Sequence, residues 1–371
     1  MAAISMTGET VPAGRGLRAL AFAWLALFAL LLLLGIAVFV FGRPVEPMAI
    51  LTFPEKKPHA TAATNPQHPG APPPAAPNTP AGAPPAPVPV PPATAVPNNI
   101  TAPIYAGRSL VADPQLIENT AQGPLPRIAA DGTPPMRAYA APALDNGHPR
   151  IAIVVSGLGI SAKATAAALA SLPPQVTLAF APYASDVQRW VAEARREGHE
   201  VLLEIPMEPY DFPDSDPGPH TLRSGVGEDA NTERLTWALT RFTGYTGVTN
   251  LLGGRLMSDA DSLEPVMTYL ARRGLLFYDN GGANRSAAPD VAARAGVPFA
   301  QASDTIDSIQ TAMEIDRQLS DLETRARGAG IASGSGFLYP VTIERVTAWA
   351  HDLPNRGFVL VPASAIVQPK K

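Results

Sequence analysis

Between Arg150 and Val361 short apolar runs alternate with helical patterns, and this alternation constrains the fold more than any other feature. The runs are Ile151–Val155, Val176–Phe180, Val201–Ile205, Gly247–Asn250, Leu275–Tyr278, Val297–Ala300, Ile331–Ser333 and Phe358–Val361, each short enough for a buried strand. Helical patterns fall between most of them, at Ala162–Leu172, Asp186–Arg196, Asn231–Phe242, Ser262–Arg273, Ile306–Arg327 and Thr342–Leu353. Basic or polar last turns with a glycine stop, Glu197-Gly198 and Arg272-Arg-Gly274, lead straight into the next strand. The pattern predicts an α/β domain with a parallel sheet, doubly wound or closed as a barrel. Loops beyond the strand C-termini converge on one rim, so chemistry is expected there. The first strand, Ile151-Ala-Ile-Val-Val-Ser-Gly-Leu-Gly159, brings Ser156 and Gly157 to it.

The rest of the chain reads as anchor and spacer. Residues 1–18 are short, polar and small, with Arg15 and Arg18 beside an uncharged apolar run at residues 19–41. As a helix that run would span about 35 Å, enough for a hydrocarbon core of about 30 Å. It is too long for a cleavable signal, and Phe39-Val-Phe41 is a poor cleavage context. The expectation is a single-pass anchor in the inner membrane, N-terminus inside and the C-terminal domain in the periplasm. Residues 42–148 hold most of the 42 prolines and are expected to be a disordered, extended Pro/Ala-rich linker, less extreme from Ile104 to Leu144, where a strap could lie against the domain. The globular domain is expected at residues 149–371. Lys+Arg 28 against Asp+Glu 32 leaves no basic face for nucleic acid, and the absence of cysteine excludes disulfides and thiolate zinc sites.

Several blocks resemble the divergent polysaccharide deacetylases, in order and spacing. They are Val154-Val-Ser-Gly-Leu-Gly159, Val176-Thr-Leu-Ala-Phe-Ala-Pro-Tyr183, Gly198-His-Glu-Val-Leu-Leu-Glu-Ile-Pro-Met-Glu-Pro209, Asp216-Pro-Gly-Pro219, Gly247-Val-Thr-Asn-Leu-Leu-Gly-Gly-Arg255, Leu276-Phe-Tyr-Asp279 and Gly334-Ser-Gly-Phe-Leu-Tyr-Pro340. The resemblance implies a distorted (β/α) barrel of the carbohydrate-esterase kind that removes N-acetyl groups from sugars. In that chemistry a divalent metal activates water, an aspartate is the base, and histidines ligate the metal and protonate the amine.

The departures from the family pattern fall on that machinery. Ser156-Gly157 stands where the family has an Asp-Asp pair, Leu251 follows Asn250 in place of a ligating histidine, and Phe337 replaces a late histidine. Glu204 occupies the histidine position of the third-strand motif, and Asp279 survives. Of six histidines, His59 and His68 fall in the spacer and His148 before the first strand; His199 and His351 read as solvated surface residues, while His220 lies near the rim. None has the spacing of a three-ligand zinc site. The catalytic candidates are therefore Asp279, Glu204 and Ser156, although Ser156 lacks a Gly-x-Ser-x-Gly elbow and a nearby histidine. Glu208, Arg255, Asp216 and Asn250 are candidates for binding substrate, with a rival role for Glu208 and Asp216 in holding backbone amides of a Pro-rich loop. Gly157-Leu-Gly159 lacks the third glycine of a dinucleotide loop. Tyr183, Tyr210, Phe212, Phe337 and Tyr339 are placed either to stack on sugar rings or to pack the loops.

Two functional expectations follow. In the first, the metal and base positions are lost and the domain binds an envelope glycan or a cell-wall-associated protein, with no cofactor. In the second, an active hydrolase of envelope saccharides uses a rebuilt acidic site holding Zn²⁺, Mg²⁺ or Ca²⁺ around Glu204, Glu208 and Asp279. A purely structural spacer protein would leave the polar and aromatic rim without a role.

Overall fold

A computed structural model describes residues 112–283 and 285–367. The expected anchor at 19–41 and most of the linker lie outside these residues. Among the described residues no helix is long and apolar enough to cross a membrane.

The chain first forms a hairpin of β1 (Ile117–Thr120) and β2 (Gly123–Pro126), then a one-turn helix α1 (Pro135–Ala138). The sheet and helices follow in alternation: β3 (Arg150–Leu158), α2 (Ala162–Ser171), β4 (Thr177–Phe180), α3 (Val187–Arg196), β5 (Val201–Met207), α4 (Glu228–Leu239) and β6 (Gly247–Leu252). Next come α5 (Gly254–Met257), α6 (Ala260–Arg272), β7 (Leu276–Asp279), α7 (Ala288–Ala295), β8 (Phe299–Gln301) and β9 (Asp304–Thr305). The chain closes with α8 (Ala312–Ala329), β10 (Ile331–Phe337), α9 (Pro340–Asp352) and β11 (Val359–Val361).

All nine strands from β3 onward pair in parallel, in the order β8-β7-β6-β5-β4-β3-β10-β9. The lower half of β3 shares its β4-facing edge with β11, through Arg150, Ile151 and Ala152. The sheet is curled. Tyr278 on β7 and Ser333 on β10 are five strands apart along the sheet, a flat distance of about 24 Å at about 4.8 Å per strand, yet their hydroxyls meet at 2.7 Å. No ladder joins β8 to β9, so the barrel is open on one side, held there by Ser303 donating its N–H to the Ser333 carbonyl.

Curling divides the apolar residues between two cores. The large one, including Ile153, Val155, Leu203, Ile205 and Phe277, lies between the sheet and the helices. The small one, Ala152, Val154, Ala179, Leu202, Leu276 and Tyr278 among others, fills the interior. Continuous apolar strands such as Ile151–Val155 are what burial on both faces demands.

Three expectations need correction. The linker does not run to residue 148: Leu116 and Leu125 are buried, so packed structure begins before the predicted boundary. The helix predicted from Ile306 starts at Ala312, because Ile306 and Asp307 form a turn directly after β9 and Thr311 supplies the cap, accepting from the Glu314 N–H. His199 is not solvated but 2 % exposed, its Nδ1 2.9 Å from the Val176 carbonyl, and burial holds its pKa below the ordinary imidazole value. His351 is exposed, as expected.

Candidate functional site

The loops beyond the C-terminal strand ends enclose a cleft of about 450 Å³. Ser156, Asn250, Asn280, Thr305, Asp307 and Ser335 give it polar lining, and Tyr210, Phe337 and Tyr339 give it aromatic walls. Strand register explains the assembly. Phe337 on β10 is the partner of Ser156 on β3, so the two departures from the family pattern face the same mouth.

Gly157 and Phe337 are packed against each other. Gly157 has φ +87°, a left-handed conformation that glycine adopts without strain, and a Cβ built on it would lie 2.4 Å from the Phe337 Cζ. The ring therefore fills the space that a side chain at 157 would need. The Phe337 N–H donates to Asp307 Oδ2 at 2.7 Å, which also accepts from the Thr342 hydroxyl at 2.8 Å. Burial raises the Asp307 pKa against the lowering effect of these two bonds.

Glu204 lies beneath this pair, in the barrel interior. Its Oε1 accepts from the Gly157 N–H, reaching across β4, while Oε2 is buried with no hydrogen-bond partner. Burial pushes its carboxyl up to about 8, opposed only by the Gly157 N–H, so the acid is largely neutral at pH 7. Its register partner on β6, Thr249, also carries a buried hydroxyl without a partner.

Asn250 reaches the cleft from β6 and forms a closed amide pair with Asn280. Its Nδ2 donates to Asn280 Oδ1 at 2.9 Å, its Oδ1 accepts from the Asn280 N–H at 2.9 Å, and the Asn280 Nδ2 donates to the Asn250 carbonyl at 2.8 Å. Asn250 Nδ2 also donates to the carbonyl of Leu252, which holds a left-handed φ of 58°. A branched side chain at such an angle is strained, and Leu252 stays 45 % exposed at the cleft wall.

The remaining candidates lie apart from the cleft. Asp279 is fully buried behind Asn280; its Oδ1 accepts from the Gly281 N–H and its Oδ2 from Ser286 Oγ and Gln301 Nε2. That bonding shapes the loop after β7. Glu208 is buried at the root of the 208–225 loop, where its Oε2 accepts from the Ser224 N–H and its Oε1 lies 3.8 Å from an Arg255 guanidinium nitrogen. Asp216 is exposed and accepts from the Gly218 N–H. Both carboxylates thus anchor the Pro-rich loop. Tyr183 packs with His220 and Trp237, whose rings stack 3.6 Å apart, and Phe212 lies beneath the Arg223 guanidinium.

Asn280, Thr305, Asp307 and Ser335 are cleft residues that sequence reasoning did not pick out as candidates. Asn280 directly follows the Leu276-Phe-Tyr-Asp279 block, so its place at a strand end was a usable signal. Asp307 was hidden inside a run read as helix. Among the described residues no three His, Asp or Glu side chains gather as metal ligands. With Gly157 covered by Phe337 and Glu204 sealed beneath, the donor set does not fit the divalent metal centre of a deacetylase.

The family model described as divergent polysaccharide deacetylase matches residues 153–367. A crystal structure of the uncharacterized protein ATU2773 from Agrobacterium tumefaciens C58 is 42% identical, covering 66% of this chain and 100% of that one, with a TM-score of 0.65. The uncharacterized protein YibQ of Escherichia coli K12 is 25% identical over 218 residues, 59% of this chain and 67% of that protein. A protein of Haemophilus influenzae is 26% identical over 206 residues, 56% of this chain and 72% of that protein. The chain belongs to the divergent polysaccharide deacetylase family.

Proposed function

We propose that this protein is a membrane-anchored, periplasmic relative of the polysaccharide deacetylases that binds an envelope glycan in its cleft without deacetylating it. The observation that carries this reading is the Phe337 ring seated on Gly157. Two positions needed for metal chemistry in the family are replaced by one apolar contact, and a side chain restored at 157 alone would meet the Phe337 ring. The aromatic walls and hydroxyl-bearing floor suit a saccharide, whose CH faces stack on rings while its hydroxyls take up hydrogen bonds.

The reading is tested by calorimetric titration of the full-length chain with soluble peptidoglycan- and chitin-type oligosaccharides. Saturable binding is expected, weakened at least about fivefold by Tyr210→Ala or Tyr339→Ala with the fold retained. An absence of binding to every glycan by a folded chain would refute it.

One observation favours a second reading. Glu204, with its carboxyl pushed up to about 8 and Oε2 unpaired below the cleft, has the protonation behaviour of a general acid. An active hydrolase of that kind would release acetate from acetylated glycans and lose the activity in both Glu204→Gln and Asp279→Asn.

A further inference from the structure

The charge of the cleft narrows the ligand further. Two carboxylates, Asp211 and Asp307, are among the lining residues, and no described lysine, arginine or histidine is. The nearby guanidinium of Arg255 is directed to Glu208 instead. Asp307 is 5 % exposed, so its negative charge is costly unless something in the cleft answers it. Both aspartates spend only Oδ2 on the side chains and N–H groups of other residues: Asp211 on Ser215 Oγ, Asp307 on the Phe337 N–H and Thr342 Oγ1. In each, Oδ1 takes no donor from another of the described residues.

We infer that the cleft selects amino sugars bearing a free ammonium group, the chemical form left after an N-acetyl group has been removed, over their N-acetylated counterparts. This rests on the glycan-binding reading above and makes the protein a reader of de-N-acetylated glycan. The ammonium supplies three donors to a site that offers acceptors and no competing cation, and a charge-assisted bond to a carboxylate is about twice as strong as a neutral one. An N-acetyl group brings one amide N–H and a carbonyl acceptor, and leaves the half-satisfied Asp307 carboxylate desolvated beneath it. A uronic acid or phosphorylated sugar meets like charge. The sugar ring itself is served by Tyr210, which is 59 % exposed, and by Phe337 and Tyr339, whose rings pack 5.1 Å apart. This preference places the protein downstream of a deacetylation reaction carried out elsewhere.

The test is calorimetric titration of the full-length chain with glucosamine tetramer, N-acetylglucosamine tetramer and a galacturonate tetramer at low salt. The glucosamine tetramer is expected to bind about tenfold more tightly than its N-acetylated form, with no measurable binding of the galacturonate. Asp211→Asn and Asp307→Asn are each expected to remove most of that tenfold gap. Glu264→Gln, an exposed acidic position on α6 paired with Arg294, is expected to leave it unchanged, which separates recognition in the cleft from general attraction of a polycation. Should Asp307→Asn fail to fold, the exposed Asp211→Asn carries the test. Equal or tighter binding of the N-acetylated tetramer would overturn the inference and leave glycan binding standing; a gap that Glu264→Gln abolishes as well would also overturn it. A folded chain that binds none of the three would overturn both.

Discussion

Two buried glutamates on the same strand face show how differently the floor and the mouth of this barrel are built. Glu200 and Glu204 are four residues apart, about 13 Å along the strand, and both point inward. Glu200, at the floor, is fully answered: it accepts from the Ala141 N–H, the Ser364 N–H and hydroxyl, and the Thr177 hydroxyl. Those partners come from the N-terminal strap, β4 and the C-terminal turn, so one carboxyl ties both ends of the domain to the sheet. Glu204, near the mouth, has one bond and one bare oxygen. Around it stand a left-handed Leu252, a ring packed on Gly157 and the half-satisfied Asp307. The floor glutamate is spent on stability, whereas Glu204 near the mouth keeps one oxygen unanswered, although the Asn250–Asn280 pair there is closed on itself.

The largest effect is expected at the floor. Glu200→Ala would leave four donors unanswered, two of them buried, and cost on the order of 3 kcal/mol, read as a lowered urea midpoint. A loss below about 1 kcal/mol would erase the contrast between the two glutamates. At the mouth, Gly157→Ala combines the left-handed angle with the approach of the Phe337 ring and is expected to cost about 2 kcal/mol. Adding Phe337→Ala should recover part of that loss, with a coupling of about 1 kcal/mol in a double-mutant cycle. Additivity would show that the two positions do not share the space.

Glu204 sharpens the comparison through pH. Its carboxyl is raised from 4.5 to about 8 in the folded protein, so between those values the folded state holds a proton that the unfolded chain has released. The stabilising contribution of the protonated acid is full below about pH 4.5, declines as pH rises, and is gone above about pH 8. The slope is at most about 1.4 kcal/mol per pH unit. Glu200, Asp279 and Asp307 are shifted upward by burial too, so the signature is the difference between the native protein and Glu204→Gln. That difference should flatten the urea-midpoint profile; parallel profiles would mean that Glu204 is ionised in the fold. The smallest effect is expected at Asp216→Ala, below about 0.5 kcal/mol, because that aspartate is exposed and serves one turn.

How much of this was legible in the sequence depended on whether a residue's role is local. Strands such as Ile151–Val155 and the glycine stops at Gly198 and Gly274 announce themselves by periodicity and by an angle only glycine takes easily, +100° and +69°. The rim placement of Ser156 and Asn250 followed from their positions at strand ends. The contact of Phe337 with Gly157 did not, since it arises from pairing β3 with a strand almost two hundred residues away. His199 misled for the same reason: a polar residue after a helix stop reads as solvated until the sheet closes over it and the Val176 carbonyl meets its ring. Asp307 was lost because helical periodicity ran through a segment that its two long-range bonds hold in a turn ahead of the helix.

The most direct test of the central claim is acetate release from N-acetylglucosamine tetramer by the full-length chain, with Zn²⁺, Mg²⁺ or Ca²⁺ supplied in turn. No release above the buffer rate is expected under any of the three, from a chain that still binds glycan. Acetate release that disappears in Glu204→Gln and Asp279→Asn would contradict the account and make this protein an active hydrolase.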